Sequence, residues 1–422
     1  VNRIGIVGLG RLGLPLSLAF AKRGFKVIGV DINPKVIESI KMRRFFYEPG
    51  VTELLLDNGV QQRFSVTDDL EAAVLLADVT IVLVATPNDD DGCFSLKYVL
   101  PVIRDIGDLL REKDESHLVV VGSTVNPGDC EEHLLPALLE HGGKEVGFCY
   151  VPEFVALGNV LNGFLEPDGI LIGSSDAVAA SRAAAIYDRL CRNNPLVKQT
   201  NLINAELVKI AANCHTVLKT AFGNQMAELC EAIPGSDVDE VTDGIALQSR
   251  ASPEYLKGST MAAGPCFLRD LKSLSCIAER WGVQLPLVET TEKVNNWQIE
   301  RLAKIVQGYW VSMKDPKTVG VLGLTYKPGV NVHEPSAGLM LVDKLKNVVR
   351  VVAYDPAIQV GQSVRTPEVL IEQADIVVVT TPWKVFESLV FRSGQVVIDC
   401  WRCLDQEAIE KAGAEYVAIG RG

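Results

Sequence analysis

The 422-residue chain is 48% hydrophobic and 22% charged, the balance of a soluble globular protein, and it is long enough for two or three cores. A net charge of −12 gives no bulk positive field to draw in nucleic acid, although a local basic pocket for a small phosphorylated ligand stays open. No apolar run reaches the ~18 residues of a membrane span. Val1-Asn2-Arg3-Ile4 leads straight into a strand pattern with no signal-peptide layout, so a cytoplasmic protein with reduced thiols is expected.

In chain order, Val/Ile/Leu runs predict strands at 3–7, 26–31, 79–84, 118–122 and 147–151, separated by helix-length mixtures. That alternation is the βαβ pattern of a parallel sheet. From about 204 to 304 the pattern turns helical. The stretch 204–230 lacks Pro and has one Gly, Gly223; further helices are expected at 271–281 and 287–304. After Lys317 the βαβ pattern returns and echoes the start in three places. Gly-Val-Leu-Gly-Leu-Thr echoes Gly-Ile-Val-Gly-Leu-Gly. A second strand again ends in an acid, Asp355 matching Asp31. A third strand again runs from Ala-Asp to Thr-Pro, Asp375 to Pro382 matching Asp78 to Pro87. The expected fold is α/β, with two Rossmann-like parallel-sheet domains joined by a helical middle segment. The expected bounds are 1–200, 201–305 and 306–422.

The strongest local signal is Gly8-x-Gly10-x-x-Gly13 between a predicted strand and a predicted helix, with Asp31 eighteen residues past Gly13. Gly8 permits a tight turn, Gly10 close approach of a pyrophosphate, and Gly13 close helix–strand packing. The diphosphate is then met by the free N–H groups of the helix start, which includes Leu12. Asp31 can accept the ribose hydroxyls and repels a 2′-phosphate, which favours NAD; Lys35 could face a phosphate and weakens that preference. A glycine turn that binds nothing is the alternative.

Three other segments carry candidate chemistry. Lys209 and Asn213 lie four apart on one helix face, where a cation and an amide could hold an oxyanion; a solvated lysine and an ordinary helix asparagine are the bland alternative. Cys266 follows Gly264-Pro265 at an expected helix start, a setting that favours a thiolate nucleophile, with Asp270 at i+4. A buried structural cysteine is its alternative. Glu153, in Val151-Pro152-Glu153-Phe154, follows a strand at the end where α/β sheets bind ligands; it could activate water, or be an exposed loop carboxylate. The chain has ten cysteines, and Cys400-x-x-Cys403 has no second pair or nearby histidines to complete a zinc site, so no metal is expected.

Together these segments resemble the nucleotide-sugar 6-dehydrogenases over nearly the whole chain. The matching stretches are Gly8–Gly13, Val84–Pro87, Ser123-Thr124-Val125, Pro152–Phe154, Asn204–Asn213, Tyr255–Gly258, Gly264–Phe267, Gly323–Pro328 and Asp399–Arg402. The resemblance implies a four-electron oxidation of a UDP-sugar CH₂OH to a carboxylate, with two NAD per sugar. Cys266 would form a thiohemiacetal and then a thioester; Lys209 and Asn213 would stabilise the oxyanions. Asp270 would move protons with Lys209 through a water, and Glu153 and Thr124 would position water. It further implies cofactor contacts at Thr86, Pro87, Thr124, Arg269 and His333. Substrate contacts are implied at Glu153, Phe154, Lys209, Asn213, Tyr255, Leu256, Lys257, Gly258, Phe267, Lys327 and Arg402. A homodimer is implied, with Arg250 reaching into the partner subunit's site.

The chain departs from the family pattern within Met261-Ala262-Ala263-Gly264, where a double glycine is usual and two methyl groups are added, at Leu268 for proline, at Val155-Ala156-Leu157-Gly158 for a charged stretch, and at His333 for arginine. UDP-glucose is the first expectation and a UDP-N-acetylhexosamine the alternative. A two-electron hydroxyacid dehydrogenase would share the Lys–Asn helix but has no use for the thiol. A non-catalytic nucleotide-sugar or NAD binder would rest only on the departures.

Overall fold

The five strands expected in the first half form within two residues of their expected ends, as β1 (Arg3–Val7), β2 (Lys26–Val30), β4 (Val79–Val82), β5 (His117–Val121) and β6 (Val146–Tyr150). Three more escape the sequence reading: β3 (Phe64–Thr67), β7 (Gly169–Gly173) and β8 (Leu196–Thr200). β3 and β8 are the two edges of the sheet and are half-exposed, so they lack the continuous apolar run of a strand buried on both faces. The computed structural model describes all residues except 45–47, 142–145, 249–251, 253, 314–316 and 334, and the expected Arg250 lies outside them. The described chain forms two compact units, Val1–Ala211 and Ala212–Gly422.

In the first unit the sheet order is β3-β2-β1-β4-β5-β6-β7-β8, parallel except between β6 and β7. Alternate residues of the buried strands feed opposite cores, as the period of two requires. Leu118 and Val120 join Ile4, Ile6 and the helix Gly13–Lys22 on one side; Val119 and Val121 join Val82 and the helix Val99–Leu110 on the other. Leu14, Leu16, Leu18 and Phe20 of the first helix are fully buried, worth roughly 1.5–3 kcal/mol each.

The second unit holds most of the helical segment and a five-stranded parallel sheet. The helix Leu202–Ala232 begins in the first unit and extends the expected stretch by two residues at each end. Its lone Gly223 has a specific cause: a Cβ there would lie 2.1 Å from Leu256 O, because the 255–258 loop crosses the helix at that point. The helix Phe267–Arg280 starts four residues before the expected 271, with Cys266 as its N-cap, and Pro286–Ser312 starts on a proline at N1.

The C-terminal sheet comprises β9 (Thr318–Leu322), β10 (Arg350–Tyr354), β11 (Ile376–Val379), β12 (Val396–Asp399) and β13 (Glu415–Ala418). Its order, β10-β9-β11-β12-β13, repeats the β2-β1-β4-β5-β6 order of the first sheet. The echo extends to single bonds. Gly8 N donates to Val30 O and Gly323 N to Tyr354 O, both at 2.8 Å. Leu9 N donates to Asp31 Oδ2 at 2.9 Å and Leu324 N to Asp355 Oδ2 at 2.7 Å. The two turns differ in what else the acid does. Asp355 is buried, and its Oδ2 also accepts from Thr325 N, Thr325 Oγ1 and Trp383 Nε1, so the second turn is filled by its own side chains.

Candidate active site

The N-terminal turn has the three glycine environments its pattern requires. Gly8 has φ +94°, and a Cβ there would stand 2.5 Å from Leu83 O. A Cβ on Gly13 would be 1.8 Å from Gly8 O, so the helix rests directly on the turn. A Cβ on Gly10 would meet nothing within 4 Å; that side of the turn is open. Leu12 caps the helix Gly13–Lys22 with no side-chain hydrogen bond, and its first turn carries no acid, so no side chain competes with an anion at this helix start. Asp31 follows β2, with Oδ2 held by Leu9 N and Oδ1 by Asn33 N, both backbone donors that leave further lone pairs on each oxygen. These features fit a dinucleotide: a grip for the diphosphate and an acid for the ribose. Lys35 is exposed in the first turn of the next helix. Thr86 is buried and Pro87 half-buried after β4, and Thr124 is half-buried after β5.

Glu153 lies just beyond β6. Its Oε1 accepts from the Tyr187 hydroxyl at 3.0 Å, and its main-chain oxygen accepts from Lys209 Nζ at 2.7 Å. The same ammonium sits 5.0 Å from the ring centroid of Phe154, which is 46% exposed. Glu153 and Tyr187 line a cavity of about 440 Å³ whose other walls, among them Val151, Phe164 and Ile170, are mainly apolar. Burial pushes the Glu153 carboxyl up to about 7, against the lowering effects of the Tyr187 hydrogen bond and the Lys209 charge. An acid poised near neutrality suits proton transfer in both directions. Tyr187 is itself held far above the ordinary tyrosine range, by burial first and then by Glu153.

In the second unit, Cys266 is exposed at the N-cap of Phe267–Arg280. The loop leading to it is pinned. Gly264 has φ +102°, its N–H donates to Pro335 O at 2.9 Å, and a Cβ would collide with the Tyr326 ring at 2.8 Å. The Asn295 side chain grips both polar groups of Ala262, accepting from its N–H at 2.7 Å and donating to its oxygen at 3.0 Å. Met261, Ala263 and Leu268 pack in one small cluster with Ile299. Thus several of the positions where the chain departs from the family pattern fill one apolar layer together. Asp270 is fully buried and accepts from Asn213 Nδ2 at 2.5 Å and Arg269 Nε at 2.9 Å.

The 255–258 segment lies over the helix at Gly223, with Leu256 buried and Tyr255 exposed at φ +61°. The Tyr255 ring meets Phe267 edge-on at 6.2 Å. Gly258 is required by close approach: a Cβ would be 2.6 Å from Gly223 O. Lys257 Nζ pairs with Asp243 at 2.8 Å and Asp239 at 3.5 Å. Arg402 uses all five N–H groups on protein acceptors. It makes a bidentate pair with Asp239 (2.7 and 3.0 Å) and bonds to Gly258 O (2.8 Å), Ile419 O (2.6 Å) and Cys400 O (3.4 Å). Lys327 Nζ lies 5.7 Å from the Tyr326 ring centroid, and His333 is half-buried. Cys400 and Cys403 are not reactive thiols: burial raises both, Cys403 to about 12 and Cys400 further.

The sequence reading missed Tyr187, Glu206 and Asp239. Glu206 is fully buried and caps the turn after β5 by accepting from Gly128 N (2.7 Å) and Cys130 N (2.8 Å). Nothing in the spacing marks these residues: an aromatic on an apolar helix stripe and acids on helices read as core and solvent face.

Models of the UDP-glucose/GDP-mannose dehydrogenase family match the chain in three stretches: the NAD binding domain at residues 2–191, the central domain at 203–297 and the UDP binding domain at 320–406. The UDP-glucose 6-dehydrogenase AglM of Haloferax volcanii is 31% identical over 402 residues, covering 92% of each chain. A UDP-glucose dehydrogenase structure from Pyrobaculum islandicum superposes with a TM-score of 0.90 at 30% identity, over 100% of this chain and 98% of that one. A UDP-D-ManNAc dehydrogenase structure from Pyrococcus horikoshii gives 0.86 at 24% identity, over 100% and 99%, and speaks for the fold alone. The chain belongs to the UDP-glucose/GDP-mannose dehydrogenase family and is an NAD-binding oxidoreductase of nucleotide sugars. Among the described residues no helix is long and apolar enough to cross a membrane.

Proposed function

We propose that the chain oxidises the C6 alcohol of UDP-glucose to UDP-glucuronate in four electrons, through covalent intermediates on Cys266. The observation that carries this reading is the exposed thiol at a helix N-terminus, behind a loop pinned by Asn295 and Tyr326, because a two-electron alcohol oxidation has no use for it. Bound NAD supplies the hydride acceptor. The Gly8–Gly13 turn and Asp31 hold its diphosphate and ribose, and the adjacent Thr86, Pro87 and Thr124 line the same strand ends.

The residues of the chain divide the rest. A base removes the alcohol proton as the first hydride leaves. The Cys266 thiolate adds to the aldehyde carbon, and Lys209 and Asn213 stabilise the alkoxide. After the second hydride leaves, the carbon is a thioester, and water attacks it with Glu153 taking the proton. The cysteine is regenerated as the carboxylate forms, so one water enters per sugar. Asp270, fixed by Asn213 and Arg269, shares the proton traffic with Lys209. Tyr255, Leu256, Lys257, Gly258, Phe267 and Lys327 contact the nucleotide sugar, and Arg402, its five N–H groups taken by protein acceptors, supports that segment through Gly258 O. On this reading 201–305 is the dimerising segment and the partner's Arg250 completes the site.

UDP-glucose stands first because Pro152-Glu153-Phe154 resembles the glucose enzymes. A UDP-N-acetylhexosamine is the second reading, because Val155-Ala156-Leu157 departs from the charged stretch of many UDP-glucose enzymes. Turnover of the Cys266→Ser variant tests the thiol. Acid formation should fall by more than about a thousandfold with folding intact, and an unchanged rate overturns the mechanism. A nucleotide-sugar panel read by NADH formation separates the two substrates.

A further inference from the structure

Glu153 carries its partner with it. The Tyr187 hydroxyl donates to Oε1 at 3.0 Å, from a helix, Ala177–Leu190, that lies next to β6 in the same unit. Tyr187 is only 4% exposed, so its hydroxyl has no bulk water to prefer over the carboxyl. Its ring stands edge-on to Phe20 at 6.3 Å, and Phe20 is fully buried on Gly13–Lys22, the helix that opens at the dinucleotide turn. The ring is therefore locked by packing, and the hydroxyl has a fixed address. The loop that bears Glu153 is held a second time through its main chain, by Lys209 Nζ on the carbonyl.

We propose that Tyr187 is a positioning residue for the reaction inferred above: it occupies Oε1 of Glu153 and so leaves Oε2 as the atom that takes the proton from water. The inference rests on Glu153 being the base of that reaction. Tyr187 contributes no proton of its own, since burial beside the carboxyl keeps its phenol protonated throughout the neutral range. Its second effect follows from the first. A hydroxyl that donates to a carboxylate favours the charged form, and here it opposes the apolar cavity that pushes Glu153 the other way. Without that donor the carboxyl keeps its proton to higher pH. The base is then absent from a larger share of the enzyme at neutrality, and the free carboxyl can rotate.

Full-chain Tyr187→Phe keeps the ring and loses only the donor. Its kcat against pH should show the acid limb moved up by about one pH unit, with KM for both substrates within twofold of the parent and kcat recovering at alkaline pH. Replacing Tyr187 by 3-fluorotyrosine keeps fold and shape but makes a stronger donor, so the limb should move down instead. An acid limb at the parent position in both variants overturns the inference, as does a uniform loss of kcat at every pH in Tyr187→Phe. Glu153→Gln separates this from the reading beneath it. Full turnover there overturns the role of Glu153 and of Tyr187 together. An inactive Glu153→Gln with an unmoved limb in both Tyr187 variants overturns the Tyr187 role alone.

Discussion

Lys209 Nζ donates to the main-chain oxygen of Glu153 at 2.7 Å, and the one ammonium thereby ties the end of β6 to the helix Leu202–Ala232. The lysine that the sequence marks for oxyanion stabilisation also sets where the Glu153 loop sits. Lys209→Ala should lose both effects, lowering kcat by about 10²–10³-fold in steady-state assays. Lys209→Arg keeps the charge but not the compact single-point contact, and should recover only part of that loss. A wild-type rate in Lys209→Ala would remove the lysine from the chemistry.

Glu153 gives a pH signature of two kinds. With its carboxyl near 7, activity should rise with pH through about 7, and the limb should vanish in Glu153→Gln. Stability runs the opposite way. The folded value is raised above the ordinary 4.5, so the contribution of this group is fully present below about 4.5 and is lost as pH rises through about 7. Thermal melts should therefore show Glu153→Gln gaining on the parent at pH 8 and matching it at pH 4.

His117 predicts the acid side. It is buried, pairs through Nε2 with Thr80 Oγ1 at 2.9 Å, and its Nδ1 lies 3.1 Å from Lys113 Nζ. The Lys113 ammonium also donates to Val74 O and Ala77 O, so Nδ1 is an acceptor and the ring is neutral with its proton on Nε2. Burial, then the charges of Lys113 and Arg182, hold the imidazole down to about 3. Its contribution is present above the unfolded 6.5 and lost as pH falls toward 3, on the order of 5 kcal/mol in all. His117→Gln should flatten the fall in Tm between pH 7 and pH 4; an equally steep fall would count against this assignment.

The turn glycines separate binding from folding. Gly10→Ala meets no atom of the protein and should leave Tm nearly unchanged while raising KM for NAD at least about tenfold. Gly13→Ala drives a methyl into Gly8 O and should destabilise the fold by about 1–3 kcal/mol or more. Melts and NAD titrations of the pair check both halves; a destabilised Gly10→Ala would mean the open side of the turn is misread.

The 255–258 segment, which the proposed reading gives to the nucleotide sugar, can be tested in the same way. Gly223→Ala places a methyl 2.1 Å from Leu256 O and must lift the 255–258 segment or bend the helix. The expected result is a raised KM for the nucleotide sugar, an unchanged KM for NAD, and a loss of about 1–3 kcal/mol in denaturant unfolding.

What the sequence made legible follows from how each feature is encoded. Buried parallel strands announce themselves as unbroken apolar runs, so β1, β2, β4, β5 and β6 were found and the half-exposed edges β3 and β8 were not. The Gly8–Gly13 turn is local in spacing: three glycines and an acid stand at fixed intervals between a strand and a helix, and the motif can be read without a structure. Tyr187 is the opposite case. Its meaning comes from Glu153, thirty-four residues away, and only the packing of one helix on one strand reveals it. The departures at Ala263 and Leu268 stand five residues apart in the sequence and prove to be neighbours in one apolar cluster. Arg402 was legible as a cation, but its bonds to Asp239 and Gly258 were not.

The central claim is that one bound sugar gives up two hydrides at a site with a nucleophilic thiol. The most direct measurement is the yield of NADH from a limiting, weighed amount of UDP-glucose taken to completion, with the product identified by mass. The account predicts two NADH per sugar and a uronate product. One NADH per sugar, with aldehyde as the end product, would contradict it.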